Sequence, residues 1–229
     1  MTQSIAPTRI SGTTVEVNGR TYAAPKRPTV VIIVDGFDPA YLEHGMANGT
    51  LPTMKSFKEK GFMAIADCSM PSTTNTNNTS IVTGVPPVVH GINGNYYLDA
   101  ETGKEIMITD AKRLRCGTIL GALSHAGVKT AVVTAKDKLL KVLAYEMKGI
   151  GFSSEYAGKA NLRENGIENV EKLVGRSTPD QYSADLSLFV FDAGVKSLSP
   201  SCEYKMRPSC RDITKTPQRA LAESLLSIN

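Results

Sequence analysis

Thr29-Val30-Val31-Ile32-Ile33-Val34 is an unbroken β-branched run that stops at Asp35-Gly36. A short apolar run closed by turn residues reads as a strand buried on both faces, the habit of parallel sheets sandwiched between helices. Asp35 then stands at the strand's C-terminal end. Asp38-Pro39 supplies an N-cap and a first-turn proline for a helix through about Met46, and Leu51-Pro52 opens a second helix that Gly61 stops. Phe62–Ala66 reads as the next strand. Downstream the alternation recurs: Gly117–Ala126 is helical with Gly127 as its C-cap, Val128–Thr134 is strand, and Lys138–Met147 is helix. Ala184–Phe191 is a further buried element whose type so short an apolar run leaves open. Strands alternating with helices imply crossover units, so the expected fold is α/β, a mainly parallel sheet with helices on both faces. No internal repeat is visible.

The composition agrees. With 229 residues, 41% hydrophobic, 21% charged and 19 Gly, the chain belongs to the ordinary globular class and not to disordered, collagen-like or disulfide-scaffold chains. No apolar run approaches the roughly 20 residues of a membrane span, and Met1–Pro28 is polar, without the apolar core of a signal peptide. Residues 1–28 are therefore expected to form a mobile N-terminal arm on a cytoplasmic enzyme or binding protein. Cys68, Cys116, Cys202 and Cys210 show no C-x-x-C pairing and read as free thiols. Six basic residues against two acidic ones between 195 and 219 account for the whole net charge of +4, which leaves the rest of the chain neutral. A neutral body gives no reason to expect nucleic acid or a membrane as partner, and the basic stretch lacks interleaved aromatics. These breaks divide the chain into the arm, an α/β domain over 29–196, and a divergent basic tail over 197–229. In that tail a helical pattern returns only over Pro217–Ile228, with Thr216 as cap, and poor packing is expected of it.

Four segments could carry chemistry. Ligands of open α/β sheets bind at the carboxyl ends of strands, where Asp35 stands; Asp before Gly is equally a turn-capping residue. Pro71-Ser72-Thr73-Thr74-Asn75-Thr76-Asn77-Asn78-Thr79-Ser80-Ile81-Val82-Thr83-Gly84 is a hydroxyl- and amide-rich approach to a short helix. A helix N-terminus suits an anion or an alkoxide, while simple N-capping uses the same residue types but fewer of them. Val85-Pro86-Pro87-Val88-Val89-His90-Gly91-Ile92-Asn93-Gly94-Asn95 is a turn-rich loop in which His90 is a ligand or a structural group, and Asn93 and Asn95 are turn formers or contacts. Thr134-Ala135-Lys136-Asp137-Lys138 ends a strand with two lysines around an acid: a solvated first helical turn, or two ammonium groups that hold an anionic substrate.

In this order the four segments resemble the alkaline phosphatase superfamily, and within it the phosphonoacetate hydrolase branch, over about Arg20 to Lys196. The resemblance implies two zinc ions bridged over a threonine or serine whose alkoxide attacks phosphorus, giving a phospho-enzyme that water hydrolyses. On that basis Asp35 corresponds to a metal ligand, Thr74 to the nucleophile and a ligand once deprotonated, and Asn95 to the asparagine that steadies a phosphoryl oxygen. Lys136 and Lys138 correspond to the pair that grips the substrate carboxylate. Expelling a carbanion from phosphorus needs its charge spread into a carboxylate held by cations, so these lysines favour cleaving the C–P bond of phosphonoacetate to phosphate and acetate.

The same resemblance implies an incomplete member. Relatives are considerably longer and continue past the segment matching Asp192-Ala193-Gly194-Val195-Lys196 into an Asp-x-x-x-His ligand pair, a second Asp-His pair and a final His. Here His44, His90 and His125 lie in none of those motifs. Two zinc ions need about three or four protein ligands each, so weak zinc binding and doubtful activity are expected of the chain as written. The competing expectations are a phosphodiesterase or phosphomonoesterase of the same superfamily, and a non-catalytic fragment. The partner expected is a small phosphonate, with a homodimer also open.

Overall fold

A computed structural model describes residues 12–198 and the backbone of 226–228. Strands β1 (Thr14–Val17) and β2 (Arg20–Ala23) pair antiparallel around Asn18-Gly19, which take φ of 52° and 75°. Two positive φ values in a two-residue loop match the right-handed twist of the flanking strands. Val15 and Val17, one face of β1, pack with Leu123 and Val128. This corrects the expectation of a mobile arm for those residues, because the hairpin is part of the body.

A four-stranded sheet, parallel throughout, has the order β3 (Ile32–Val34), β8 (Leu226–Ile228), β6 (Ala131–Thr134), β7 (Ile150–Ser153). The α/β expectation therefore holds. Alternation along β6 sends Val132 to one face, against Leu120 of α5 (Ile119–His125) and Leu139, Leu140 and Leu143 of α6 (Asp137–Leu143). Ala131 and Val133 go to the other face, against Val170 of a short helix over Val170–Val174 and Phe189, Val190 and Ala193 of the long helix Ala184–Leu198. The element left open over Ala184–Phe191 is thus a helix. Burial at 25 cal/mol per Å2 or so makes these two apolar layers the main stabilising term. Among the described residues no helix is long and apolar enough to cross a membrane.

Three expectations fail around β3. Val31 and Ile33 pack against the α5–α6 side, but Val30, Ile32 and Val34 alternate to the other face and are 53%, 48% and 39% exposed, so the strand is buried on one face only. Helices α1 (Pro39–Ala47) and α2 (Pro52–Lys60) form where expected, with Asp38 accepting the Ala40 N–H at 2.7 Å, yet α1 buries only Gly45 and α2 buries nothing. Phe62–Ala66 runs without a strand ladder, with Phe62 89% and Ile65 80% exposed. β-branched and aromatic composition states an appetite for burial; a ladder also needs a neighbour, and the described residues supply none there. In the tail, Leu226–Ile228 is strand where a helix was expected, because a slot between β3 and β6 offers two hydrogen-bonded edges that outweigh local helical period. The rest of 199–225, with Cys202 and Cys210, lies outside the described residues. Cys68 and Cys116 are free thiols, as read.

Candidate active site

Helix α3 (Thr74–Thr83) is the most polar buried element of the fold: Asn75, Thr76, Asn78, Thr79 and Thr83 are all buried. Its polarity is tolerated because side chains bond back one turn. Asn77 Nδ2 donates to Thr73 O, Asn78 Nδ2 to Thr74 O, Thr79 Oγ1 to Asn75 O, Ser80 Oγ to Thr76 O and Thr83 Oγ1 to Thr79 O, at 2.6 to 3.2 Å. Buried polar groups are mostly paired, and such back-bonds pair these donors within the helix itself, leaving Asn78 Oδ1 as a buried acceptor without a partner among the described residues. The far end is held from outside: Asn18 Nδ2, on the hairpin tip, donates to Thr83 O at 2.8 Å and to Gly117 O at 2.9 Å, while Asn18 Oδ1 accepts the Gly117 N–H at 3.2 Å. Gly84 closes the helix at φ 69°, and a Cβ there would lie 2.0 Å from the Tyr22 hydroxyl oxygen.

The other end of α3 presents Thr74. Its hydroxyl donates to Asp35 Oδ2 at 2.7 Å, although the two residues are 39 apart in sequence. Asp35 is exposed and Thr74 half-buried. Asn95 belongs to the same end: its Oδ1 accepts the Asn75 N–H at 3.3 Å, and its carbonyl accepts the Ile108 N–H at 2.8 Å. Ile108 O in turn accepts from Asn75 Nδ2 at 3.4 Å, so the hairpin β4 (Tyr96–Leu98) and β5 (Glu105–Met107) is docked on the first turn of α3. Asn93 is exposed and outside this cluster.

Lys136 and Lys138 follow β6. Ser227 pairs with both Ile33 and Thr134, which sets those residues at one level across β8. Asp35 and Lys136 each lie two residues further on, at the same carboxyl edge and two strand spacings apart, roughly 10 Å. Helix α6 packs on α3 from that edge. Lys136 Nζ lies 5.0 Å from the centroid of the exposed Tyr182 ring. The acid between the lysines is engaged elsewhere: Asp137 pairs with Lys141 at 2.7 Å, and among the described residues neither Lys136 nor Lys138 has a carboxylate partner. Glu155 ties this corner together, accepting the Asp137 N–H at 2.9 Å and the Gln181 amide at 3.2 Å.

Residues 29–193 match the family model described as Type I phosphodiesterase / nucleotide pyrophosphatase. The chain belongs to that family. Two crystal structures of phosphonoacetate hydrolase from Sinorhizobium meliloti 1021, one in complex with phosphonoacetate and one with phosphonoformate, are 40% identical to this phosphodiesterase-family chain, with a TM-score of 0.82 in each case. Each match covers 95% of this chain and 50% of that chain, so the sequence spans about half the length of these relatives.

Members of the wider superfamily carry metal, and the residues here go only part of the way. Asp35 and Thr74 bring two side-chain oxygens together, but among the described residues no group of three or more His, Cys, Asp or Glu could hold a metal ion. A zinc ion takes four ligands, so the described part of this phosphodiesterase-family chain does not by itself make a zinc site. Fully buried His90 is turned toward Ser80 and Ile92, not toward Asp35. Sequence reasoning missed Glu155, Gln181 and Tyr182 beside the lysines, since nothing in local pattern ties residues 26 and 46 positions apart.

Proposed function

We propose that this chain is the nucleophile-bearing part of a hydrolase that cleaves the C–P bond of phosphonoacetate, giving phosphate and acetate. The observation that carries the reading is the Thr74 hydroxyl on Asp35, with Lys136 level with it on the same sheet edge. The likeness to the Sinorhizobium phosphonoacetate hydrolase supports it. Thr74 Oγ1, at the N-terminus of a ten-residue helix, attacks phosphorus; the helix's unpaired N–H groups and positive dipole end favour negative charge there. Asn95 is held through its Oδ1, which leaves its NH2 end for a phosphoryl oxygen. As the P–C bond breaks, its electron pair passes to the methylene carbon and into the carboxylate, where Lys136 and Lys138 stabilise it. The proton that leaves the Thr74 hydroxyl, directed at Asp35 Oδ2, is the one that completes acetate, and water then splits the phospho-threonine to phosphate and a restored hydroxyl.

Zinc is the metal this reading expects, with Asp35 and Thr74 as two of its ligands and the others from outside the described residues. The setting proposed is cytoplasmic. A phosphodiesterase or phosphomonoesterase reading, which the family also admits, lacks a use for the lysine pair. The decisive experiment measures zinc content of the purified chain together with phosphate release from phosphonoacetate and from an aryl phosphate. Release from the aryl phosphate alone would refute the proposal.

A further inference from the structure

His90 ends the short helix α4 (Pro87–His90) and is fully buried under α3. Its Nδ1 accepts the Ile92 N–H at 3.1 Å. Nδ1 is then the bare nitrogen, so the neutral ring carries its proton on Nε2, which faces Ser80 Oγ at 2.9 Å and donates to it. The Ser80 hydroxyl donates its single proton to Thr76 O at 2.9 Å, and its second lone pair receives the Ser69 hydroxyl at 2.8 Å. Every site on Ser80 is therefore filled, and the direction of each proton follows from the one nitrogen that Ile92 occupies. Ser69 is held twice, since its N–H also donates to Asn77 Oδ1 at 2.8 Å. Five residues later the chain reaches Thr74.

We propose that His90 is a positioning residue for the nucleophile: through Ser80 and Ser69 it fixes the segment that leads into Thr74, and it does so as a neutral imidazole in one tautomer. The proposal rests on the reading of Thr74 as the reacting hydroxyl, which Thr74 must bring to phosphorus at a set angle. Burial pushes the His90 imidazole below its ordinary value, which is consistent with a neutral ring. An apolar side chain in its place would leave the Ile92 N–H unpaired in a buried setting and take from Ser80 Oγ one of its two donors, a larger loss than that of the bonds alone.

The test uses the full chain labelled with 15N-histidine. His90 is expected as the Nε2–H tautomer; an Nδ1–H signal would overturn the proposal. Hydrogen exchange then reads the brace: His90→Leu and Ser69→Ala are expected to speed exchange at the Ser69 and Asn77 amides about tenfold, with the Val132 and Val133 amides of β6 unchanged. His90→Gln, which keeps a donor toward Ser80, restores most of the protection. Unchanged exchange at Ser69, or equal acceleration throughout the chain, overturns the proposal, and Ser69→Ala decides alone if His90→Leu does not fold. Phosphate release separates the two claims: a brace that behaves as described in a chain whose phosphate release survives Thr74→Ala removes the role given to Thr74 and leaves the brace standing.

Discussion

The Thr74 hydroxyl donates to Asp35 Oδ2 at 2.7 Å, joining the first residue of α3 to the residue that follows β3. A hydroxyl held this way has its proton directed at the carboxylate and its lone pairs turned elsewhere. If that oxygen is the nucleophile, Thr74→Ala abolishes phosphate release from phosphonoacetate, and Asp35→Asn lowers it at least about a hundredfold, while both variants stay folded. Mass spectrometry of acid-quenched samples is expected to find one phosphoryl group on Thr74. A phosphoryl group on any other residue would remove Thr74 from the reaction.

Lys136 and Lys138 have no carboxylate partner among the described residues, whereas the neighbouring Asp137 is paired with Lys141. Two ammonium groups without a carboxylate partner among the described residues should distinguish a substrate with a carboxylate from one without. Lys136→Ala and Lys138→Ala are each expected to weaken phosphonoacetate binding about 10- to 100-fold, as read by calorimetry, and to leave inorganic phosphate binding within about threefold. Equal loss for both ligands would mean that the lysines contribute only general positive field.

Much of this site was legible before the fold because its residue types are local. Asp35 closes a β-branched run, Thr74 opens a polar helix and Lys136 ends a strand, so each landed at the carboxyl edge by the rule for open α/β sheets. What failed needed knowledge of neighbours. The outward face of β3 was read as buried and the run Phe62–Ala66 as a strand from composition, and among the described residues the first has no cover and the second no ladder. Conversely, residues 1–28 were read as an arm because the stretch is polar as a whole, although Asn18-Gly19 between two alternating stretches is a hairpin signal that was there to be read. His90 stayed undecided because its partners Ser80 and Ile92 are set by how α3 and α4 pack.

Asn18 makes three hydrogen bonds that join the hairpin to α3 and to Gly117, and its φ of 52° is one that asparagine tolerates better than most residues. Asn18→Ala removes all three and strains the turn. A loss of about 2 to 3 kcal/mol is expected, which thermal unfolding would show as a drop of roughly 5 to 10 °C. An unchanged melting temperature would show that the hairpin contributes nothing to holding α3.

The depressed His90 value makes stability depend on pH with a definite sign. Burial disfavours the charged ring in the folded state, so near its ordinary value of 6.5 the unfolded chain binds the proton more readily. Stability from this group is complete above about pH 6.5 and is lost as pH falls below it toward the folded value. Melting temperature should therefore fall between about pH 6.5 and 5, before the carboxylates titrate, and His90→Gln should flatten that limb. A limb of the same slope in the variant would assign it to other groups.

Val30 before β3, Ile32 and Val34 on it, and Phe62 and Ile65 beyond α2 leave apolar side chains exposed along the limb that carries Asp35. Such a surface seeks cover, and an unladdered extended run also offers free N–H and C=O groups to another chain. The chain is therefore expected to self-associate. Light scattering should report a mass above that of one chain, rising with concentration, and a dye that fluoresces on apolar surfaces should bind. Phe62→Ser with Ile65→Ser should lower both signals while the melting of the β6–β7 core stays put, because those side chains are 89% and 80% exposed and belong to neither apolar layer of that sheet among the described residues. A concentration-independent monomer for the unaltered chain would show that this limb is covered in solution.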